Sequence, residues 1–274
     1  MHLIWKQFSI ALAFVAALAF TAAAHAQRDY TPSVGQEGKD VIWVPTPNEL
    51  IQKMLDMAKL TPSDVHFDLG SGDGRTVIAA AKRGTKAVGV EYNPDMVELS
   101  KRNAQKEGVS ARAEFIRGDI FETDFSKATV LTLYLLPSLN LKLRPTILNM
   151  KPGTRVVSHA FTMGDWQADQ TESVEGRTAY MWIVPAKVDG NWHITGPSGR
   201  NYELALKQTF QKLEGTGRYS DGKTSPISNA GMRGDMLSFS IDGRDYSGRV
   251  NGDRIEGTAK TASGEVKWTA VRAK

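Results

Sequence analysis

From residue 41 to residue 196, short apolar runs alternate with longer amphipathic stretches. The runs, rich in β-branched residues, predict strands at residues 65–69, 86–91, 112–117, 129–135 and 154–159. The stretches between them carry apolar residues three or four positions apart and predict helices at residues 75–83, 94–107 and 139–150. Strands and helices that alternate in this way predict a parallel, Rossmann-like sheet with helices on both faces.

The pattern changes after this region. Residues 178–185 and 191–195 are two further strand-like runs, and Asp189-Gly190 between them is typical of a hairpin turn. We expect Gly196-Pro197-Ser198-Gly199 to mark a domain boundary. Short alternating segments follow at residues 237–241, 246–250, 254–259 and 266–271, with Asp-Gly, Asn-Gly and Ser-Gly turns. Residues 200–274 therefore predict a small antiparallel all-β domain, either a barrel or a sandwich.

The first forty residues concern localisation. Lys6 precedes an apolar run at residues 8–24, which ends in Ala24-His25-Ala26, the order typical of a signal peptide. We expect residues 1–26 to be removed and the protein to be periplasmic or secreted. The alternative is an uncleaved inner-membrane anchor, because about 17 apolar residues are just enough for a spanning helix. Residues 27–40 are polar and predict a flexible lead-in to a domain at residues 41–196.

Charge and residue usage narrow the function classes. The net charge of +4 equals the excess of 13 basic over 9 acidic residues from Arg200 onwards, where the two signs alternate. Interspersed charges are typical of a solvated surface, so we expect no nucleic-acid partner. The chain has no cysteine, which excludes disulfides, thiolate catalysis and cysteine-bound zinc. The five histidines show no ligand spacing, and no metal is expected.

A glycine-rich turn follows the first predicted strand, in the run Asp68-Leu69-Gly70-Ser71-Gly72-Asp73-Gly74. Glycine is needed where the backbone takes positive φ or touches a ligand, and the helix that follows offers free N–H groups. A dinucleotide site would require a third glycine at position 75, which is Arg75. Asp68 suits a ligand with a cationic amino group, such as S-adenosylmethionine.

Two further carboxylates follow in order. Glu91 ends the second predicted strand, 23 residues after Asp68, where acidic residues of such folds bind ribose hydroxyls. Asp119 follows the third strand, within reach of an adenine amino group. The three acidic residues and the glycine turn together predict an S-adenosylmethionine site.

These motifs resemble those of class I, seven-strand S-adenosylmethionine-dependent methyltransferases, over about residues 41–185. The runs Val44-Pro45-Thr46-Pro47, Tyr134-Leu135-Leu136-Pro137 and Pro152-Gly153-Thr154 resemble a bacterial exported branch of that class, and their order is similar to that in seven-strand protein lysine methyltransferases. The resemblance implies methyl transfer from S-adenosylmethionine, with a protein lysine as the acceptor. The alternative is an exported, non-catalytic ligand-binding or interaction protein that keeps this fold.

The resemblance also implies roles for individual residues. The residues expected around the methionyl part are Asp68, Gly70, Ser71, Gly72 and Gly74. Glu91 is expected at the ribose, and Asp119 and Ile120 at the adenine. Tyr134 lies at the end of the fourth strand, where related enzymes admit the acceptor, but it equally fits a core position. The candidates for an acceptor channel after the fifth strand are His159, Phe161 and Trp166, although a lone histidine such as His159 is more often structural. His66 is expected to pack in the core or at an edge of the sheet.

Overall fold

An α/β layer forms the first half of the protein. The computed structural model describes residues 30–196, 199–262 and 264–273. The helices of the layer are α1 (Asn48–Met57), α2 (Arg75–Lys82), α3 (Pro94–Lys106) and α4 (Pro137–Leu148). Its strands are β1 (Val65–Leu69), β2 (Lys86–Glu91), β3 (Ala113–Arg117), β4 (Val130–Leu133), β5 (Arg155–His159), β6 (Gln170–Val174) and β7 (Arg177–Ile183).

Within the described residues these strands form one sheet in the order β3-β2-β1-β4-β5-β7-β6. Strands β1 to β5 are parallel to one another, whereas β7 is antiparallel to both β5 and β6. The strand order reverses direction between β1 and β4. Open α/β sheets bind ligands at such a switch point.

Helices cover both faces of this sheet, as the sequence predicted. Adjacent strand residues point to opposite faces, so Val130 packs in a cluster with Met54 of α1, and Leu131 packs in a cluster with Ile147 of α4. All four side chains are buried. The central strands are therefore apolar on both faces, which is the pattern expected of parallel strands.

A closed antiparallel barrel forms the second half of the described chain. Its strands are β8 (Gly190–Thr195), β9 (Asn201–Thr209), β10 (Lys212–Tyr219), β11 (Thr224–Pro226), β12 (Ser228–Arg233), β13 (Met236–Ile241), β14 (Arg244–Asn251), β15 (Arg254–Thr261) and β16 (Gly264–Arg272). Eight of them close a ring, because β10 pairs with β9 as well as with β12, while β11 adds to β10. Side chains such as Trp192, Phe239 and Trp268 fill the interior. Of the two predicted forms, the barrel is the one observed.

The predicted hairpin at residues 178–185 and 191–195 is wrong. Strand β7 pairs instead with β6, through a turn at Glu175-Gly176, and β8 pairs with β9 and β16 of the barrel. In β8, buried Trp192 and Ile194 alternate with exposed residues, which suits a barrel wall that is wet on one face. The change from sheet to barrel thus comes between Ile183 and Gly190, before the predicted boundary at residue 196.

The two sheets lie in one compact unit, residues 33–274. The Ala186 N–H donates to the Gly234 carbonyl oxygen over 2.8 Å, and Gln211 Nε2 donates to the Gln167 carbonyl oxygen over 2.8 Å. Phe210, from the turn between β9 and β10, stacks on Trp166 with ring centroids 5.9 Å apart. The barrel therefore rests on the α4 face of the first sheet.

Residues 1–26, predicted as a leader, lie outside the described residues. No helix within the described ranges combines the length and the apolar character that crossing a membrane requires.

Candidate functional site

The turn after β1 is tied to the neighbouring strand. The N–H groups of Gly70 and Ser71 donate to the Val90 carbonyl oxygen over 2.9 and 3.0 Å. Gly70 and Gly72 have φ of 81° and 55°, values that side-chain-bearing residues rarely adopt. The glycines thus let the chain turn sharply at the carboxyl end of the sheet.

A cavity of about 580 Å³ opens at this end of the sheet. Its lining includes seven of the eight predicted cofactor residues, namely Asp68, Gly70, Ser71, Gly72, Glu91, Asp119 and Ile120. Gly74 does not line the cavity. It precedes α2 with φ of 81°, and a Cβ there would lie 2.7 Å from the Phe115 ring, so close packing requires this glycine.

Asp68 is a buried carboxylate at the floor of the cavity. Its side chain is 7% exposed, and its Oδ1 accepts a hydrogen bond from the Thr132 hydroxyl over 2.6 Å. Burial, reinforced by the nearby charges of Glu91 and Asp73, raises the pKa of Asp68 to about 7. Beside it, the buried Ser71 hydroxyl has no hydrogen-bond partner among the described residues. The Asp68 carboxylate lines the cavity and is suited to a ligand with a cationic amino group.

Glu91 closes the other side of the glycine turn. Its Oε2 accepts the Gly72 N–H over 3.0 Å and its Oε1 accepts the Asn93 N–H over 2.9 Å. Burial raises the pKa of Glu91. A carboxylate has about four acceptor positions, so Glu91 can still accept a hydrogen bond from a ligand hydroxyl.

Asp119 lies at the cavity rim with both oxygens engaged. Oδ1 accepts the Phe121 N–H over 2.9 Å, and Oδ2 forms an ion pair with Lys39. The hydrogen bond from Lys39 holds the pKa of Asp119 below its usual range. Asp119 is therefore charged, and a residue near the start of the chain compensates that charge.

Residues 36–46 form a wall of the cavity. The Trp43 N–H donates to the Gln36 carbonyl oxygen over 2.9 Å, which folds the segment into a turn. A Cβ on Gly72 would lie 2.6 Å from the Trp43 indole nitrogen, so the indole lies directly against the glycine turn. Residues 36–40 belong to the predicted flexible lead-in, and their place in the cavity wall was not predicted from the sequence.

The candidate acceptor residues lie at the carboxyl ends of β4 and β5. The Tyr134 ring stacks on the His159 ring with centroids 3.8 Å apart, and Phe161 lies 6.1 Å from Tyr134. Tyr134 and Phe161 line the cavity, whereas His159 is buried behind them. His159 Nδ1 lies 3.1 Å from the Thr46 hydroxyl, and burial lowers the His159 pKa to about 4. His159 is thus a neutral support for Tyr134 and for the cavity wall.

Trp166, expected to line the acceptor channel, does not line the cavity. It is fully buried in the core on the α4 face, where its carbonyl oxygen accepts the Trp182 indole N–H over 2.8 Å. The loop after β5 places Trp166 against Phe210 of the barrel, and not beside the cavity. His66 is a core residue, as expected, and is 0% exposed.

The cavity lining is acidic. In the part of the chain that the structure describes, it has six carboxylates, Glu37, Asp40, Asp68, Asp73, Glu91 and Asp119, and two basic side chains, Lys39 and Arg75. The mouth also carries four large apolar side chains that are more than a third exposed, Ile42, Val44, Tyr92 and Leu136. The site therefore favours a cationic ligand and offers an apolar surface around the opening.

Known proteins are similar to this chain in sequence. A protein from Saccharolobus islandicus, named protein-lysine N-methyltransferase, is 42% identical over 151 residues, which cover 53% of this chain and 94% of that protein. This chain belongs to the S-adenosylmethionine-dependent methyltransferases. The family of ANTKMT methyltransferase domains matches residues 68–170 of the methyltransferase, from Asp68 into β6.

Two further relatives are informative. The adenine nucleotide translocase lysine N-methyltransferase of Mus musculus is 34% identical over 119 residues, or 43% of this methyltransferase and 52% of the mouse protein. A crystal structure described as an RNA methyltransferase from Salinibacter ruber with S-adenosyl-L-homocysteine has a TM-score of 0.52 and 50% sequence identity, covering 53% of this chain and 96% of that one.

The cofactor of the methyltransferase is S-adenosylmethionine. The residues present fit it, because the buried Asp68 carboxylate and the Glu91 carboxylate both line the cavity beside the glycine turn.

Proposed function

We propose that this methyltransferase modifies the ε-amino group of lysine in a protein. The acidic cavity lining carries the proposal, because it attracts a cationic side chain and repels a polyanion. Among the described residues, the lining carboxylates Glu37 and Asp40 have no assigned cofactor role and form no ion pair with Lys39 or Arg75, which pair with Asp119 and Asp73. The relatives from Saccharolobus islandicus and Mus musculus are named as lysine methyltransferases. Their names agree with the charge of the site.

The apolar rim supports a macromolecular acceptor. Ile42, Val44, Tyr92 and Leu136 surround the opening, with exposures from 37% for Val44 to 58% for Ile42. Clustered exposed apolar residues mark surfaces that bind other proteins, whereas a small amine would need no such contact. The lysine would enter past these side chains toward Tyr134 and Phe161.

We assign roles as follows. Asp68 binds the amino group of the methionyl part, Glu91 binds the ribose hydroxyls, and Ile120 with Asp119 borders the adenine. The cofactor supplies an activated sulfonium methyl group, so the protein contributes mainly alignment of the acceptor. Tyr134, held by the buried His159, forms the aromatic wall that orients the lysine side chain.

The acceptor is tested with S-adenosylmethionine labelled in its methyl group. The purified protein is incubated separately with protein and RNA fractions of the native host, and labelled residues are identified by mass spectrometry. We expect methyllysine in protein. Tyr134→Ala should lower methylation by about tenfold or more with little change in cofactor affinity, and Tyr134→Phe should retain most activity. Label in RNA would replace the lysine proposal, and absence of transfer despite cofactor binding would favour a non-catalytic binding protein.

We also propose that the leader is cleaved after Ala26, so that the mature periplasmic protein begins at Gln27. The sequence pattern alone supports this, through the small residues Ala24 and Ala26. The intact mass of protein isolated from the native host decides between cleavage and retention. A mass that includes residues 1–26 would support the anchored form, in which the leader is the membrane contact.

A further inference from the structure

Asp68 is the last member of a buried hydrogen-bond chain that also includes His66 and Thr132. His66 and Asp68 are two residues apart on β1, so their side chains share a face, and Thr132 lies opposite Asp68 on β4. The Thr132 hydroxyl lies 2.6 Å from Asp68 Oδ1 and 2.8 Å from His66 Nε2. Exposures of 0% for His66 and Thr132 and 7% for Asp68 keep the chain out of water.

The two hydrogen bonds of this chain donate in the same direction. Thr132 has one hydroxyl proton, and Asp68 Oδ1 accepts it. The Thr132 oxygen then accepts a proton from His66 Nε2. The other ring nitrogen, Nδ1, has no partner among the described residues, so placing the proton on Nε2 avoids a buried donor without an acceptor. Both hydrogen bonds therefore point toward Asp68.

The charges around Asp68 oppose its ionisation. Burial raises its pKa to about 7, and Glu91 and Asp73 act in the same direction, while the Thr132 and Thr76 hydroxyls favour the ionised form. Burial lowers the pKa of His66 to about 3, despite the charge of Asp64, so the imidazole is neutral at physiological pH. The hydroxyls thus act on a carboxyl group that is close to losing its charge.

We propose that Thr132 and His66 are positioning residues, whose directed hydrogen bonds keep Asp68 ionised and aimed at the amino group of the cofactor. This inference rests on the role proposed for Asp68 and is independent of the methyl acceptor. A protonated Asp68 would neither attract the ammonium group nor accept from it with full strength. The two residues act through Asp68 and make no contact with the reacting atoms.

Thr132→Val tests the proposal, because valine keeps the shape and removes the hydroxyl. The probe is S-adenosylhomocysteine, which carries the same amino group, titrated by calorimetry between pH 5.5 and 8.5. Wild-type affinity should rise with pH through about 7, where Asp68 ionises. Loss of a hydrogen bond to the charged form should move that midpoint up by about one unit, which makes binding at pH 7 about fivefold weaker. Thr132→Ser should restore the wild-type profile.

Direct titration of Asp68 gives a readout without ligand. In protein labelled with ¹³C at aspartate carboxyls, the Asp68 resonance of Thr132→Val should titrate at higher pH than in wild type. His66→Leu should shift it in the same direction by less, and His66→Gln, which retains a donor, should shift it least. The histidine pair keeps the test open if Thr132→Val does not fold.

Thr129→Val is the matched control. Thr129 donates to Asp64 Oδ1 over 2.7 Å at the opposite end of β1, away from the cavity. This variant should lose stability but keep the pH midpoint of binding. Equal profiles for Thr132→Val and wild type, or affinity lost equally at every pH, would overturn the positioning role. Wild-type affinity in Asp68→Asn would instead overturn the role of Asp68 itself.

Discussion

Glu91 both braces the glycine turn and faces the cofactor cavity. Glu91→Ala removes the acceptor for the ribose hydroxyls, so we expect a loss of about 1.5–3 kcal/mol, or roughly ten- to a hundredfold in S-adenosylmethionine affinity. Glu91→Gln keeps one oxygen for the Gly72 N–H and should lose less. Calorimetric titration measures both variants.

The matched control for this prediction is Glu98→Ala. Glu98 lies on α3 and pairs with Lys101 at the surface, where both side chains are 52% exposed. Its removal should leave affinity unchanged. If Glu91→Ala bound the cofactor as tightly as Glu98→Ala, the assignment of Glu91 to the ribose would be wrong.

Asp68 also predicts a pH dependence of stability. Its pKa rises on folding from 3.8 to about 7, so folding is favoured by protonated Asp68 and loses free energy as pH rises through this window. Three pKa units correspond to roughly 4 kcal/mol, which we take as an upper limit. Ligand-free Asp68→Asn should therefore melt at a higher temperature than wild type at pH 8.5, while binding the cofactor less tightly.

Asp64 predicts the opposite dependence of stability on pH, because its pKa is lowered on folding. Burial works against its charge, but hydrogen bonds from Thr129, Thr61 and Arg155 outweigh burial and lower its pKa. Its ionised form stabilises the fold, and that contribution is lost as pH falls through the lowered pKa. Asp64→Asn should thus be less stable than wild type at pH 8.5. A pH-independent difference between Asp68→Asn and wild type would contradict the prediction for Asp68.

At the scale of elements, residues 36–46 complete the site. Trp43 packs on Gly72, and Thr46 is held by His159 and by Arg75, whose Nη1 donates to the Thr46 carbonyl oxygen over 3.3 Å. Trp43→Ala should leave the sheet folded but weaken cofactor binding by about tenfold, mainly through faster dissociation, because the wall packs less well. Stopped-flow dissociation measures this.

Trp43→Phe is the companion variant, since it keeps an aromatic ring against the turn and should retain most of the affinity. Unchanged dissociation rates in both variants would show that the segment does not help to retain the cofactor.

The elements that the sequence predicted are those with strong local patterns. Strands β1 and β2 have the predicted bounds, since apolar residues run through them and a turn follows each, Gly70 after β1 and Asn93-Pro94 after β2. Strand β6 escaped prediction because its residues are polar and half exposed, as an edge strand allows. Strand β10 escaped because Gly215 and Gly217 interrupt its alternation; a Cβ at Gly217 would lie 2.5 Å from Ile241, a contact made only in the closed barrel.

The site shows the same division. Asp68 and Glu91 could be found because strand ends meet at one edge of a parallel sheet, and chain order gives that edge. Neither the Lys39–Asp119 ion pair, 80 residues apart, nor the Trp43 contact with Gly72 has a local pattern. Such contacts follow from tertiary packing alone.

At the scale of the molecule, the barrel has its own core, and we expect the cofactor site to form without it. None of the described residues after Phe161 lines the cavity. A protein that ends after Pro185, before β8, should bind S-adenosylmethionine within about threefold of wild type. It should melt several degrees lower, because Trp166 loses its contact with Phe210. Thermal melts with and without ligand test both expectations.

Two relatives bear on this prediction. The match to the Saccharolobus islandicus protein covers 53% of this chain and 94% of that protein. The match to the Salinibacter ruber protein covers 53% of this chain and 96% of that one. A folded truncation without ligand-induced stabilisation would show that the barrel helps to build the site. The shortened form must exclude β8, because that strand would lose both of its partners.

The pairing of β8 with β16 also sets an order of events during synthesis. Every strand of the first sheet precedes residue 184, so that sheet can form while the rest of the chain is still being translated. The barrel joins its first strand to its last, through pairs such as Arg272 with Trp192, and cannot close until Arg272 has left the ribosome. Its slow, non-local step therefore comes last, when the neighbouring sheet already offers a surface on which to assemble.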